Sequence, residues 1–313
     1  MKILIAYDGS ECADAALDDL KNAGLPTTSK ALVMSMADVI LPPPAEEESD
    51  DTPTLFELES VKRARERAEQ KLKEAQSLAK RASEQVKKYF PEWNVRPQAL
   101  PDSPAWAIIK AADEWNPDLV VVGAQGHSVL GGRLILGSVS QRVLYEVNCS
   151  VRIARGRHGN GNSPRRLLIG VDNSPYSHAA VDAFSRRDWP RGTEVRLLSV
   201  VDTVMAIAPD TSQPHLVKWI EVGDEDNWDQ LRQIFQPLAD KLVSAGLDAG
   251  IMIRRGKPTN ELLDEAENWG ADCIFLGPKG TRGIGRLLLG SVSSAVSARA
   301  HCSVEVVRLK PNP

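Results

Sequence analysis

Two stretches of this chain, residues 119–140 and 273–293, read LVVVGAQGHSVLGGRLILGSVS and CIFLGPKGTRGIGRLLLGSVS. Each runs from a short apolar segment into a glycine-rich loop and on to Gly-Ser ahead of a helix-like segment. Gly123, Gly126, Gly137 and Ser138 thus answer to Gly277, Gly280, Gly290 and Ser291. The openings repeat as well: KILIAYDGSECADAALDDL from Lys2 and RLLIGVDNSPYSHAAVDAF from Arg166 both put an aspartate, Asp8 or Asp172, between a buried-type strand and a helix. A chain that repeats both ends of a unit is a tandem duplication. Its 313 residues suffice for two units that each bury a core, residues 1–156 and 165–313, with RHGNGNSPR from Arg157 as the linker.

Apolar runs and helical periods alternate within each unit. Strands are expected over residues 3–7, 31–36, 94–100, 119–122 and 149–154, and again over 167–171, 195–200, 249–254, 273–276 and 303–307. Nearly continuous apolar strands separated by helices imply an α/β fold, with a five-stranded, parallel, doubly wound sheet in each unit. The first unit carries a long helical insertion. After Pro42-Pro43-Pro44 and an acidic run at Glu46, Glu47, Glu48, Asp50 and Asp51, a helical pattern over residues 54–89 places Leu58, Val61, Ala68, Leu72, Ala75, Ala79, Ala82, Val86 and Tyr89 on one stripe. At 1.5 Å per residue that helix is about 50 Å long, more than a crossover requires, so part of it should project. The stripe reads either as a helix packed on its own sheet with an overhanging end, or as a coiled-coil-like surface for a partner or a second copy.

Glycines allow positive φ and close backbone approach, and the free N–H groups of a helix start favour an anion, so a strand, glycine loop and helix start can hold phosphate without a catalytic side chain. Rival chemistries fail on the pattern. There is no G-x-x-x-x-G-K-[ST], the glycines follow the fourth strand of each unit instead of the first, and no Ser-His-Asp elbow or paired-carboxylate motif is apparent. No catalytic residue or metal ligand set is therefore assigned. Formal charge is −4 with no basic excess in either half, which argues against nucleic acid as a partner. No apolar run is long enough for a membrane span, and four cysteines without CxxC spacing suit a reducing compartment, so the cytoplasm is expected.

These motifs resemble the universal stress protein family, in its ATP-binding branch. That branch is marked by a glycine, two residues, a glycine, nine residues, then Gly-Ser or Gly-Thr. Gly277, Gly280, Gly290 and Ser291 fit with residues 281–289 as the nine, whereas ten residues, 127–136, separate Gly126 from Gly137. The resemblance covers nearly the whole chain. It implies a Rossmann-like strand order of 3-2-1-4-5 with a ligand crevice at the carboxyl ends of the first and fourth strands. It also implies ATP, with or without Mg2+, as the ligand. Asp172 would accept from ribose hydroxyls and the backbone at Val200 would meet the base. The amides around Gly280, Gly290, Ser291 and Val292 would take the phosphates, with the Ser291 and Ser293 hydroxyls as added donors. The first-half counterparts are Asp8, Met36, Gly123, Gly126, Gly137, Ser138, Val139 and Ser140, and Gly277 opens the second loop. Each aspartate also reads as a helix cap, and Ser291 as an N-cap. Lys279, Arg282, Arg286 and Arg133 either balance phosphate charge or form solvated surface.

The implied function is an adenine-nucleotide-binding, regulatory stress-response protein, with a slow ATP hydrolase or a nucleotide-free interaction module as alternatives. The longer first loop leads to the expectation that the second half holds ATP more tightly. The resemblance further implies an intramolecular pseudo-dimer paired through the fifth strands, and from that, halves that self-associate when separated. A homodimer of the chain and an unidentified protein partner stay open.

Overall fold

The computed structural model describes residues 1–39, 55–125, 136–156, 164–201, 226–279 and 289–309. Its strands are β1 (Lys2–Ala6), β2 (Lys30–Ala37), β3 (Asn94–Pro101), β4 (Leu119–Gly123), β5 (Ser150–Ala154), β6 (Arg166–Gly170), β7 (Glu194–Val201), β8 (Asp248–Arg255), β9 (Cys273–Leu276) and β10 (Ser303–Val306). They form one ten-stranded sheet in the order β3-β2-β1-β4-β5-β10-β9-β6-β7-β8. Each half keeps the 3-2-1-4-5 order with parallel pairing throughout, and the halves meet where β5 runs antiparallel to β10. The two sheets expected from the repeat are thus halves of one sheet.

Helices cover both faces, which is why β4 and β9 can be apolar at every position. In the first half, Ile3, Ile5, Leu119 and Val121 face α1 (Glu11–Asp19) and α2 (Leu55–Tyr89), packing on Leu17, Ala82 and Val86. The alternate residues Leu4, Val120 and Val122 face α3 (Pro104–Trp115) and α4 (Ser138–Glu146), against Ile108 and Val143. In the second half Leu167 and Ile169 pack under α5 (Pro175–Ser185) and α6 (Asp226–Ser244) with Val181 and Phe235. Leu168 and Ile274 point to α7 (Pro258–Trp269) and α8 (Ser291–Arg299), meeting Leu262 and Val296.

Helix α2 is longer than its seat. Ala68, Ala75, Ala79, Ala82 and Val86 are buried, while residues 60–67 are all exposed, Val61 among them. The overhang expected from the length is therefore present, and the stripe's small residues are the ones that let the helix lie close to the sheet.

Candidate functional site

The sheet reverses direction of winding between β1 and β4, and again between β6 and β9. In each half these two strands are adjacent, with Ile5 opposite Val121 and Ile169 opposite Phe275. The chain therefore opens a crevice at their carboxyl ends. Asp8 lies two residues past β1 and Asp172 two past β6, and both are exposed. Neither caps the following helix. Ser10 and Ser174 do, accepting from the amides of Ala13 and Ser177. The aspartates instead hold the turn into the cap. Asp8 Oδ1 accepts from the Ser10 amide at 3.0 Å and its hydroxyl at 2.6 Å, and Asp172 Oδ1 accepts from the Ser174 amide at 3.1 Å. The turn needs a left-handed residue at its centre, supplied by Gly9 at φ 80° and Asn173 at φ 59°. The carboxylates are thereby fixed in direction at the crevice mouth.

Across the crevice, each glycine loop is closed at its base by the same pair of bonds. The Gly137 amide donates to Ala124 O at 2.8 Å and the Gly290 amide to Pro278 O at 2.6 Å. The Ser140 hydroxyl donates to Gly123 O at 2.6 Å and the Ser293 hydroxyl to Gly277 O at 2.7 Å. This corrects one expectation. The Ser293 hydroxyl, and Ser140 with it, gives its proton to the strand end and braces the helix start instead of reaching outward. Gly123 and Gly277 also do something other than admit a ligand. A Cβ at Gly277 would stand 2.9 Å from Tyr176 Cβ and 3.1 Å from its backbone carbon, and one at Gly123 would stand 3.0 Å from Cys12 O. These glycines let the first turn of α5 and of α1 press against the neighbouring strand, which draws the aspartate turn and the loop together.

Helices α4 and α8 start at Gly137 and Gly290, which are the N-caps, so Ser138 and Ser291 occupy the first helical position and not the cap position the sequence suggested. No side chain caps either helix, and no acidic residue stands in either first turn. The contrast with α1 and α5 is direct, since there a serine side chain answers the first-turn amides. At α4 and α8 those amides, on residues 138–140 and 291–293, face the crevice end with positive dipole and no carboxylate of their own. Ser138 and Ser291 are exposed, Val139 and Val292 half-buried. Met36 and Val200 lie near the ends of β2 and β7. Each is two residues beyond the Ala6–Met34 and Gly170–Leu198 pairs, and so level with Asp8 and Asp172.

Gly126 and Gly280, with Arg133, Arg282 and Arg286, lie outside the described residues. Lys279 does not belong to the solvated surface. It is 7% exposed, and its ammonium sits 5.2 Å from the centre of the Tyr176 ring, a cation–π contact at the foot of the loop. Sequence reading overlooked Tyr176, although its place four residues after Asp172 was a usable signal. Among the described residues no group of three His, Cys, Asp or Glu could hold a metal ion, and no helix is long and apolar enough to cross a membrane.

Comparison with known proteins bears on both halves. A model of the universal stress protein family matches residues 1–155 and 164–308. A universal stress protein of Mycolicibacterium smegmatis is 28% identical over 225 residues, 68% of this chain and 69% of that one. Universal stress protein YxiE of Bacillus subtilis is 28% identical over 148 residues, 46% of this chain and 98% of its own length. A solved universal stress protein from Archaeoglobus fulgidus superposes with a TM-score of 0.63 at 20% identity, covering 98% of each chain, a likeness of fold.

Proposed function

The chain belongs to the universal stress protein family in both of its halves, and from that premise we propose that it is a regulatory protein that binds ATP in the crevice of each half. The observation that carries the reading is the pair of uncapped helix starts at Gly137 and Gly290, each at the reversal point of its half. A triphosphate supplies the acceptors those first-turn amides lack, and a helix N-terminus favours its charge. The exposed Asp8 and Asp172 suit ribose hydroxyls, which are donors. Main-chain groups near Met36 and Val200, level with those aspartates, suit the base. An accompanying Mg2+ would take its ligands chiefly from the phosphates.

The second half is proposed as the tighter site. Both loops are closed at their bases by equivalent bonds, Gly137 to Ala124 O and Gly290 to Pro278 O, so the added residue of the first half leaves that closure in place. The lost affinity then comes from contacts of the loop itself, where misaligning one charge-assisted bond costs about 1.5 to 3 kcal/mol, tenfold or more.

Ser291→Glu tests the reading. A carboxylate at the first position of α8 suits the helix dipole, so thermal stability should hold or rise slightly. The same charge repels phosphate, so calorimetry should show the tighter ATP site weakened at least about tenfold, and Ser138→Glu should remove the weaker one. Unchanged ATP affinity in both variants would sink the proposal. Mass spectrometry of ligand released from freshly purified protein should find adenine nucleotide, and phosphate release would tell a slow hydrolase from a binding protein.

A further inference from the structure

The fifth strands of the two halves lie in nearly identical segments, CSVRIAR at residues 149–155 and CSVEVVR at 302–308. Around the junction the contacts are reciprocal. The Arg155 amide donates to Ser303 Oγ and the Arg308 amide to Ser150 Oγ. The Arg155 guanidinium crosses to Ser297 O and Ala298 O at the end of α8, while that of Arg308 crosses to Leu144 O at the end of α4 and to Cys149 O just before β5. The junction thus has a near two-fold axis, and a copy of either half could reproduce every one of these bonds with itself.

Ile153 and Ala154 answer to Val306 and Val307, all apolar, and the one position that differs in charge sits on the axis. Ile153 opposes Val304, Arg152 opposes Glu305 and Val151 opposes Val306. Arg152 and Glu305 are both 0% exposed and lie 3.2 Å apart, Nη1 to Oε2. Asp19 accepts from Arg152 Nε at 2.6 Å and from Ser303 Oγ at 2.9 Å, and Arg187 pairs with Glu305 while also donating to Ala23 O. Acid and base alternate along this buried row. If the first half paired with a copy of itself in the same register, Arg152 would face Arg152. If the second did so, Glu305 would face Glu305. Asp19 and Arg187 travel with their own halves, so each member of a like pair would keep its own counter-charge and lose the one across the axis. Burial makes that loss severe.

We propose that the fifth-strand edge of each half accepts the other half and refuses a copy of itself, Arg152 and Glu305 being the selecting pair. Like-charge juxtaposition at a buried interface is a way of excluding wrong partners. The expectation that separated halves self-associate is thereby reversed.

The test begins with the full chain carrying a specific protease sequence within residues 157–163, cleaved after folding. The nicked protein is dissociated in denaturant and refolded, and native mass spectrometry counts the pairs. Mixed pairs should dominate, with each like pair at least about tenfold below its statistical share. A one-to-two-to-one mixture overturns the proposal. In the nicked R152Q/E305Q variant, uncharged amides meet on the axis while still able to bond Asp19 and Arg187, so like pairs should approach their statistical share; selectivity as strong as in the parent also overturns it. An uncleaved arm does not depend on refolding of the parts. There R152E and E305R, which create like pairs, should lower the unfolding midpoint clearly further than R152Q and E305Q, and equal losses count against the axis as the selector.

Discussion

Gly277 shows how a residue of a proposed binding loop can be required for packing first. A methyl group there meets the first turn of α5 at 2.9 Å and finds backbone at 3.1 Å, so that turn must move. Gly277→Ala should cost about 1 to 3 kcal/mol of stability and weaken ATP binding by shifting the Asp172 turn. Gly250 in β8 is the control, since nothing lies within 4 Å of its added Cβ. Gly250→Ala should change stability by no more than about 0.5 kcal/mol, as denaturant unfolding would show. Glu305 makes a prediction in pH. Burial pushes its carboxyl up, but Arg187 and Arg152 outweigh burial and hold it below the ordinary carboxylate range. A lowered folded value stabilises above the unfolded value of about 4.3, and the contribution disappears as pH falls through the folded value. The stability gap between the protein and Glu305→Gln should therefore be widest near neutral pH and shrink below about pH 4. A gap that widens on acidification would mean that burial prevails over the two arginines.

Elements differ here in how their ends are satisfied, and that difference separates scaffold from site. Ser10 and Ser174 cap α1 and α5, so Ser10→Ala should destabilise by about 1 kcal/mol and leave the helix starts of α4 and α8 untouched. The long α2 divides in the same spirit. From residue 60 onward its buried face begins at Ala68, and residues 60–67 are exposed throughout. Proline at Lys62 should cost well under the roughly 3 kcal/mol of an interior helix break, because residues 60–67 around it are exposed; proline at Ala79, 1% exposed, should cost at least that much. Comparable losses at both sites would mean that the overhang is seated against something, either a second copy or a partner.

For the molecule as a whole, the junction decides whether two halves behave as one. Burial pushes the Arg155 and Arg308 guanidiniums down to about 10, which still leaves both charged at neutral pH and able to hold the last carbonyls of the opposite half's helix. With these clamps and the buried charge row in place, heating should give one cooperative transition. Arg155→Ala with Arg308→Ala should split it into two, because each half retains its own core on both faces of its sheet. A single calorimetric peak in the double variant would place the coupling elsewhere, in the β5–β10 ladder or the linker.

The sequence by itself determined the duplication, the strand order implied by family likeness, and the position of each aspartate and glycine loop. Apolar strands, glycines and turn residues act through neighbours a few positions away, so their pattern is readable without the fold. Tertiary structure decided what the loop residues touch. Ser293 looks like a phosphate donor until Gly277 O is found 2.7 Å from its hydroxyl, and Lys279 looks solvated until the Tyr176 ring lies beneath it. It also decided the meaning of Arg152. A charge inside an apolar strand has no local rationale, and its partner Glu305 stands 153 positions away. Only the folding of two sheets into one brings those positions to a common axis, where burial turns the one difference of charge between closely similar strands into a choice of partner.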